Sequence, residues 1–154
     1  MKRLLLSLML LVATVAVAAQ SADKLYDEGK RLYDEKKYEQ AFPLLMKAAE
    51  KGHKKAQYRI GRCYDKGNGV EEDNKAAFTW YEKAAKQDHA KSQYQLARYY
   101  LKGKGGITPD TEKARKLLKK AVKAGNSGKQ ILEELKADAA KGDEEAVKLL
   151  ELLK

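Results

Sequence analysis

The sequence contains little cysteine, histidine and proline, and these shortages exclude several classes of protein. Its 154 residues include 1 Cys, 2 His and 2 Pro. One cysteine cannot form an internal disulfide or a cysteine-based zinc site, and two histidines argue against a metal cage built by the protein alone. So few prolines, with only 11 glycines, do not fit a collagen-like or low-complexity chain. We therefore expect no metal and no cofactor.

Charge and apolar content favour a small soluble domain. Lys and Arg number 32 against 22 Asp and Glu, which gives a net charge of +10. Hydrophobic residues make up 44% of the chain, which is too high a share for a disordered protein. The length suits a single domain.

The N-terminus has the pattern of a signal peptide. A cationic start, Met1 to Arg3, precedes an uncharged apolar run over residues 4–19 that is shorter than the roughly 17–25 residues of a spanning helix. The run ends in small residues, which predicts cleavage after Ala18 or Ala19; an uncleaved anchor is the alternative. We therefore expect a periplasmic or secreted domain, residues 20–154, without a transmembrane anchor after cleavage.

The single cysteine, Cys63, has two explanations that the sequence leaves open. In an oxidising compartment an unpaired thiol can react or pair with a partner. Alternatively, Cys63 is a small buried residue on the core face of a helix. Its neighbours Ile60, Gly61 and Tyr64 stand at helical core spacing, which favours burial.

The sequence after residue 20 repeats itself. Residues 56–69 and 92–105 align at a constant offset of 36, and after one inserted residue the offset becomes 37, as for Ala77 and Ala114. A less regular copy begins at Leu25. A fixed period of this length is typical of a solenoid, in which neighbouring units bury each other's apolar faces.

Each repeat predicts a pair of helices. Apolar side chains recur at helical spacing, and aspartates stand where second helices begin, so Asp73 and Asp110 are expected to cap them. Glycine pairs are expected to end the first helices at positive φ: Gly67 with Gly69 and Gly103 with Gly105. The predicted helices lie near 22–36, 38–51, 54–66, 73–87, 90–102, 110–124, 127–141 and 143–153.

The second unit carries a family resemblance. The residues that carry it are Ala56, Ile60-Gly61, Tyr64, Gly67-Asn68-Gly69-Val70, Asp73, Ala77 and the run from Trp80 to Ala85. On these residues the chain resembles the Sel-1-like repeat, a relative of the tetratricopeptide repeat. The resemblance implies an all-α, right-handed α-solenoid of helix-turn-helix units. We place the units at about 22–53, 54–89 and 90–127, with capping helices over 128–154.

The same resemblance implies a protein–protein interaction module that presents the first helix of each unit on its concave surface. A cysteine-rich branch of the family is associated with β-lactam binding or hydrolysis. Its members carry paired cysteines in each repeat, which this chain lacks, so a β-lactamase-like hydrolase is the least favoured function. The identity of the partner and the oligomeric state stay open.

An aromatic and cationic pair recurs in the first helices. Each tyrosine is followed four residues later by a cation on the same helix face. Stacked repeats would align these pairs into a ladder of aromatic and cationic groups. Such a ladder suits an acidic peptide or a chain terminus, because tyrosine offers rigid contact area and the cations bind carboxylates. The other explanation is structural, with tyrosines packing successive helices and cations in solvent. The predicted partner-binding residues are Tyr26, Lys30, Tyr58, Arg62, Tyr94 and Arg98.

The segment from 91 to 129 is rich in lysine and supports an alternative function. It holds 11 lysines and arginines against two acidic residues, and many of them surround one helix. Such a basic patch suits an acidic protein or the polyanions of a cell envelope, although a solvated lysine face is the favoured explanation. No nucleic-acid partner is expected, since no nucleic-acid-binding module is recognisable. The patch consists of Lys113, Lys116, Lys119, Lys120 and Lys123.

No residue pattern indicates catalysis. No Ser-His-Asp or Cys-His arrangement suggests itself, and the Gly-Asn-Gly turn at residues 67–69 is too short to cradle a phosphate. His53 and His89 stand at equivalent positions between units, where a role at a helix terminus explains them more simply than acid–base chemistry. We therefore expect a protein that is not an enzyme.

Overall fold

The chain forms a stack of paired helices. The computed structural model describes residues 20–154, and the predicted signal peptide at 1–19 lies outside them. Within residues 20–154 there are eight α-helices, a short 3-10 turn at Lys104–Gly106 and no β-strand. The helices are α1 (Ala22–Asp34), α2 (Tyr38–Glu50), α3 (Lys54–Lys66), α4 (Asn74–Lys86), α5 (Ala90–Lys102), α6 (Thr111–Val122), α7 (Gly125–Ala140) and α8 (Glu144–Glu151).

Consecutive helices pack against each other along the whole stack. The pairs α1–α2, α3–α4 and α5–α6 form the three repeats, and each second helix also packs against the first helix of the next repeat. The helices α7 and α8 pack together at the C-terminal end. This arrangement confirms the predicted all-α solenoid, in which each unit depends on its neighbours for burial.

Polar side chains start the helices as the sequence predicts. An Asp73 carboxylate oxygen accepts hydrogen bonds from the backbone N–H groups of Lys75 and Ala76, both at 2.9 Å. An Asp110 carboxylate oxygen accepts from the N–H of Lys113 at 2.9 Å. These bonds satisfy amide groups that have no partner within their own helix.

The two histidines also begin helices. Nδ1 of His53 accepts a hydrogen bond from the backbone N–H of Ala56 at 3.1 Å, and Nδ1 of His89 accepts from that of Ser92 at 3.3 Å. Both residues have extended backbone conformations, as N-cap residues do. Their equivalent positions between units thus reflect one capping role at the start of α3 and α5.

Cys63 is buried in the core that the first two units share. Its residue surface is 1% exposed, and it packs in a cluster with Ile60 and Leu45. Burial raises the pKa of the thiol to about 12. Cys63 therefore stays a protonated thiol at neutral pH and is a core residue in this fold.

Candidate partner-binding clefts

The first helices of the repeats line two adjoining clefts together with α7. The first cleft has a volume of about 460 Å³ and the second a volume of about 310 Å³. Tyr26, Lys54, Lys55, Tyr58, Arg59, His89 and Lys91 line the first cleft. Tyr58, Arg62, Lys66, Lys91, Tyr94, Arg98, Glu134 and Asp138 line the second. Because Tyr58 and Lys91 line both, the two clefts form a continuous surface along α3 and α5.

Five of the six predicted binding residues line this surface. Tyr58, Arg62, Tyr94 and Arg98 come together in the second cleft, and Tyr26 lies in the first. Lys30 does not line either cleft. Its ammonium lies 2.6 Å from the carboxylate of Asp34, one turn further along α1. Whether these residues bind a partner stays a prediction.

The tyrosines also pack successive first helices. The ring of Tyr26 stacks on the His53 ring with centroids 4.3 Å apart, and the ring of Tyr58 lies 4.9 Å from that of His89. Each of these tyrosines thus rests on the histidine that caps the next first helix. Burial raises the pKa of Tyr58, so its hydroxyl stays protonated and remains a hydrogen-bond donor at neutral pH. Packing and partner contact are therefore compatible at this position.

The two arginines of the second cleft have different surroundings. Arg98 binds Glu145 of α8, with Nε 2.6 Å from Oε1 and Nη2 3.2 Å from Oε2. Lys102 pairs with the same carboxylate. Arg62 stands one repeat earlier, half-buried beside Tyr58, and forms no ion pair within residues 20–154. The guanidinium group at this position of the repeat therefore binds a carboxylate in the third unit, where it belongs to Arg98. In the second unit, where it belongs to Arg62, it has no bound carboxylate and is open to an anion.

Glu145 is a largely buried acidic side chain of α8. Its side chain is 13% exposed. Burial alone would raise its pKa, but hydrogen bonds from Arg98 and Lys102 hold the pKa of this carboxyl below its usual value. The sequence carries no signal for this contact, because Glu145 lies 47 residues from Arg98 and outside the repeats.

The first cleft is strongly cationic. The recurring pairs of a tyrosine and a cation in the first helices did not predict this charge. Four cations line it: Lys54, Lys55, Arg59 and Lys91. Its one acidic residue, Asp88, forms an exposed ion pair with Lys120 of α6 at 2.6 Å. The signal was present in the sequence, since Lys54, Lys55 and Lys91 stand within two residues after the capping histidines.

One serine and histidine contact exists, but it serves a helix cap. Nδ1 of His89 lies 3.0 Å from the hydroxyl oxygen of Ser92. Ser92 has no exposed surface, so a substrate has no route to its hydroxyl. Burial, reinforced by nearby lysines such as Lys54, lowers the pKa of His89 to about 4, which keeps the ring neutral at physiological pH. In the part of the chain that the structure describes, no group of His, Cys, Asp and Glu is arranged to hold a metal ion.

The lysine patch lies on α6 and at its C-terminal end. All five of its lysines are exposed or partly exposed. Lys120 contacts Asp88 at 2.6 Å, and Lys113 lies 3.6 Å from Asp110. No helix within residues 20–154 is long and apolar enough to span a membrane.

The repeat signature is shared with a known family. The family model for the Sel1 repeat matches residues 17–53, 54–89 and 90–126. The chain belongs to the Sel1 repeat family. Sel1 repeat proteins are generally protein–protein interaction modules and typically non-catalytic scaffolds. A search of curated proteins found no match.

Solved Sel1 repeat structures resemble this protein over much of its length. A Sel1 repeat protein from Oxalobacter formigenes is 43% identical, with a TM-score of 0.60, over 64% of this chain and 40% of that one. A protective antigen of uropathogenic Escherichia coli with an SLR fold is 32% identical, with a TM-score of 0.64, over 74% of this chain and 26% of the antigen. Cysteine rich protein B of Helicobacter pylori is 26% identical, with a TM-score of 0.53, over 56% of this chain and 65% of the Helicobacter protein. The chain thus spans less than two thirds of the length of each.

Proposed function

We propose that this Sel1 repeat protein is an exported adaptor that binds an acidic segment of a partner protein along α3 and α5. The observation that carries the proposal is the bidentate contact between Arg98 and Glu145, with Arg98 Nε 2.6 Å from Oε1. It is an internal example of a carboxylate bound at a ladder position. Arg62 offers the equivalent group without a carboxylate of its own among residues 20–154.

Charge and shape support the same conclusion. The cations of the first cleft attract an anionic segment, and the rings of Tyr26 and Tyr58 offer rigid contact area beside them. Helix α3 has 13 residues and is therefore about 20 Å long, which matches about six residues of extended peptide. The adaptor thus suits a short acidic peptide rather than a whole domain surface.

Reversing the charge of Arg62 tests this function. We expect Arg62→Glu to lower partner capture from cell-envelope extract by more than about tenfold, since a charge-assisted hydrogen bond is replaced by repulsion. The matched control is Arg31→Glu, because Arg31 is exposed on α1 and lies outside both clefts. Capture is measured by cross-linking, affinity purification and quantitative mass spectrometry. Equal capture by both variants would contradict the proposal.

Export is tested at the N-terminus of the protein made in cells. We expect the mature chain to begin at Ala19 or Gln20, since the small residues before them suit signal peptidase. N-terminal sequencing of protein from the cell envelope or medium gives the answer. Replacing Ala18 and Ala19 with leucine is the control; it removes the small last residue of both predicted sites and should leave the precursor uncleaved. An intact Met1 on cytoplasmic protein would contradict export.

A further inference from the structure

A third cleft opens on the opposite side of α5 from the first two. It has a volume of about 380 Å³ and lies between α4, α5 and α6. Helix α5 presents Leu96 and Tyr100 to this cleft, whereas Tyr94 and Arg98 of the same helix line the second. The third cleft is therefore a separate surface, and both sides of α5 can be occupied at the same time.

The floor of the third cleft is apolar. It is formed by Ala85 of α4, Leu96 and Tyr100 of α5, and Leu117 of α6. Leu117 and Tyr100 are only partly buried, so each leaves apolar surface facing the cleft. Apolar surface in contact with water is stabilised when a partner covers it.

Lysines surround this floor. Lys113, Lys116 and Lys120 of α6 stand three and four residues apart on one helix face, and Lys86 of α4 stands on the other side. Lys86 lies 3.3 Å from Glu82, and Lys113 and Lys120 also have acidic neighbours. These exposed ion pairs contribute little and exchange readily. Lys116 forms no ion pair within the described residues 20–154.

We propose that the third cleft binds an acidic, amphipathic segment of a protein partner. One or two apolar side chains of the segment fill the cleft over Leu96 and Leu117, while its carboxylates meet the lysines at the rim. Charge complementarity argues for this occupant, because the rim holds four lysines and a single acid, Glu82. The volume is near the lower end of the roughly 300–1,000 Å³ range of ligand pockets, which accommodates side chains but not a folded domain.

The apolar floor, with lysines on both sides of it, favours a protein segment over a membrane surface. Phospholipid headgroups would meet the ends of the lysines and leave the floor between α5 and α6 uncovered. A peptide can place a side chain into the cleft while its charged residues stay at the rim. The proposed adaptor surface along α3 and α5, called here the Arg62 surface, lies on the other side of α5. The third cleft would therefore give the adaptor a second site and let it hold two acidic segments together.

The test uses defined peptides and two matched charge reversals. The probe is a fluorescein-labelled twelve-residue peptide of glutamates with two leucines spaced four residues apart, and its partner peptide has serine in place of both leucines. Binding to the mature protein is measured by fluorescence anisotropy. Lys116→Glu alters the cleft rim, and Lys119→Glu makes the same charge change on α6 outside the cleft. Circular dichroism checks that both variants fold.

We expect the leucine peptide to bind the wild-type protein at least about tenfold more tightly than the serine peptide, because two apolar side chains leave water. Lys116→Glu should weaken binding of the leucine peptide by about tenfold or more, and Lys119→Glu by less than about threefold. Arg62→Glu should leave the difference in affinity between the leucine and serine peptides unchanged, because the leucine-dependent part of the binding belongs to the third cleft and not to the proposed adaptor surface.

Four results would overturn the proposal. The first is no binding of the leucine peptide, and the second is equal binding of both peptides, which would indicate charge attraction alone. The third is an equal loss of leucine-peptide binding in the Lys116→Glu and Lys119→Glu variants. The fourth is loss of the affinity difference between the two peptides in Arg62→Glu, which would place the leucine side chains in the other clefts. The protein could also fail to bind the peptides and instead cosediment with phosphatidylglycerol vesicles. If both lysine variants weakened that cosedimentation equally, the patch would be assigned to a membrane.

Discussion

Replacing Gly69 with alanine should lower the free energy of unfolding by about 3 kcal/mol or more. Gly69 has a φ of +73°, and a Cβ there would lie 2.4 Å from the carbonyl oxygen of Tyr38 and 2.6 Å from its carbonyl carbon. Both clashing atoms belong to the backbone at the start of α2, so no rotamer change can relieve the contact. The loop of the second unit and α2 of the first would have to separate.

Gly106 supplies the matched control for this substitution. Its φ is +75°, but a Cβ there has no neighbour within 4 Å. Gly106→Ala therefore tests the left-handed backbone alone and should cost about 1 kcal/mol. Gly105→Ala should fall between the two, because its Cβ would lie 3.0 Å from the carbonyl oxygen of Asn74 at the start of α4. Urea unfolding followed by circular dichroism measures all three, and equal losses would contradict the close-approach explanation.

Gly61→Ala should destabilise the protein by about 2–3 kcal/mol, and replacement of Tyr81 with leucine should restore much of that loss. A Cβ on Gly61 would lie 2.6 Å from Cδ1 and Cε1 of the Tyr81 ring. Tyr81 has no exposed surface, and its ring centroid lies 5.9 Å from those of Tyr58 and Tyr99. The ring therefore has no free space into which it can move.

The third repeat explains why leucine should compensate. The positions equivalent to Gly61 and Tyr81 are Gly29 and Leu45 in the first unit, and Ala97 and Leu118 in the third. In the third unit an alanine and a leucine pack in one buried cluster, so a smaller partner accommodates the methyl group. Leucine also removes the Tyr81 hydroxyl, which is buried without a hydrogen-bond partner in residues 20–154.

The measurement is a double-mutant cycle. Gly61→Ala, Tyr81→Leu and the double variant are unfolded in urea beside the wild type, and we expect a favourable coupling of at least about 1 kcal/mol. Independent, additive losses would show that the two positions do not compete for space. Partner capture by the double variant should remain, because Arg62 and Tyr58 are unchanged.

The two proposed surfaces would make the protein a connector. The Arg62 surface and the third cleft lie on opposite sides of α5, and both combine cations with aromatic or apolar side chains. Sel1 repeat proteins are generally protein–protein interaction modules, and a connector with two acidic-segment sites is a specific form of that function. The Arg62→Glu and Lys116→Glu variants remove one connection each and allow the two proposals to fail separately.

The sequence by itself determined the repeat, the helices and their ends. Helix formation and capping depend on residues within about four positions of each other, and the caps at Asp73 and Asp110 obey that local chemistry. The spacing of its helical neighbours only favoured burial of Cys63, and the structure decided it. The signal peptide stays a prediction from the first 19 residues.

Only the tertiary structure decided which side chains meet across units. The pairing of Arg98 with Glu145, the approach of Gly69 to Tyr38 and the apolar floor over Leu117 all join residues far apart in sequence. A helical pattern shows which face is apolar, but not the angle and distance at which the next helix packs against it. Those distances leave Arg62 open and Arg98 occupied, although both stand at the same position of the repeat.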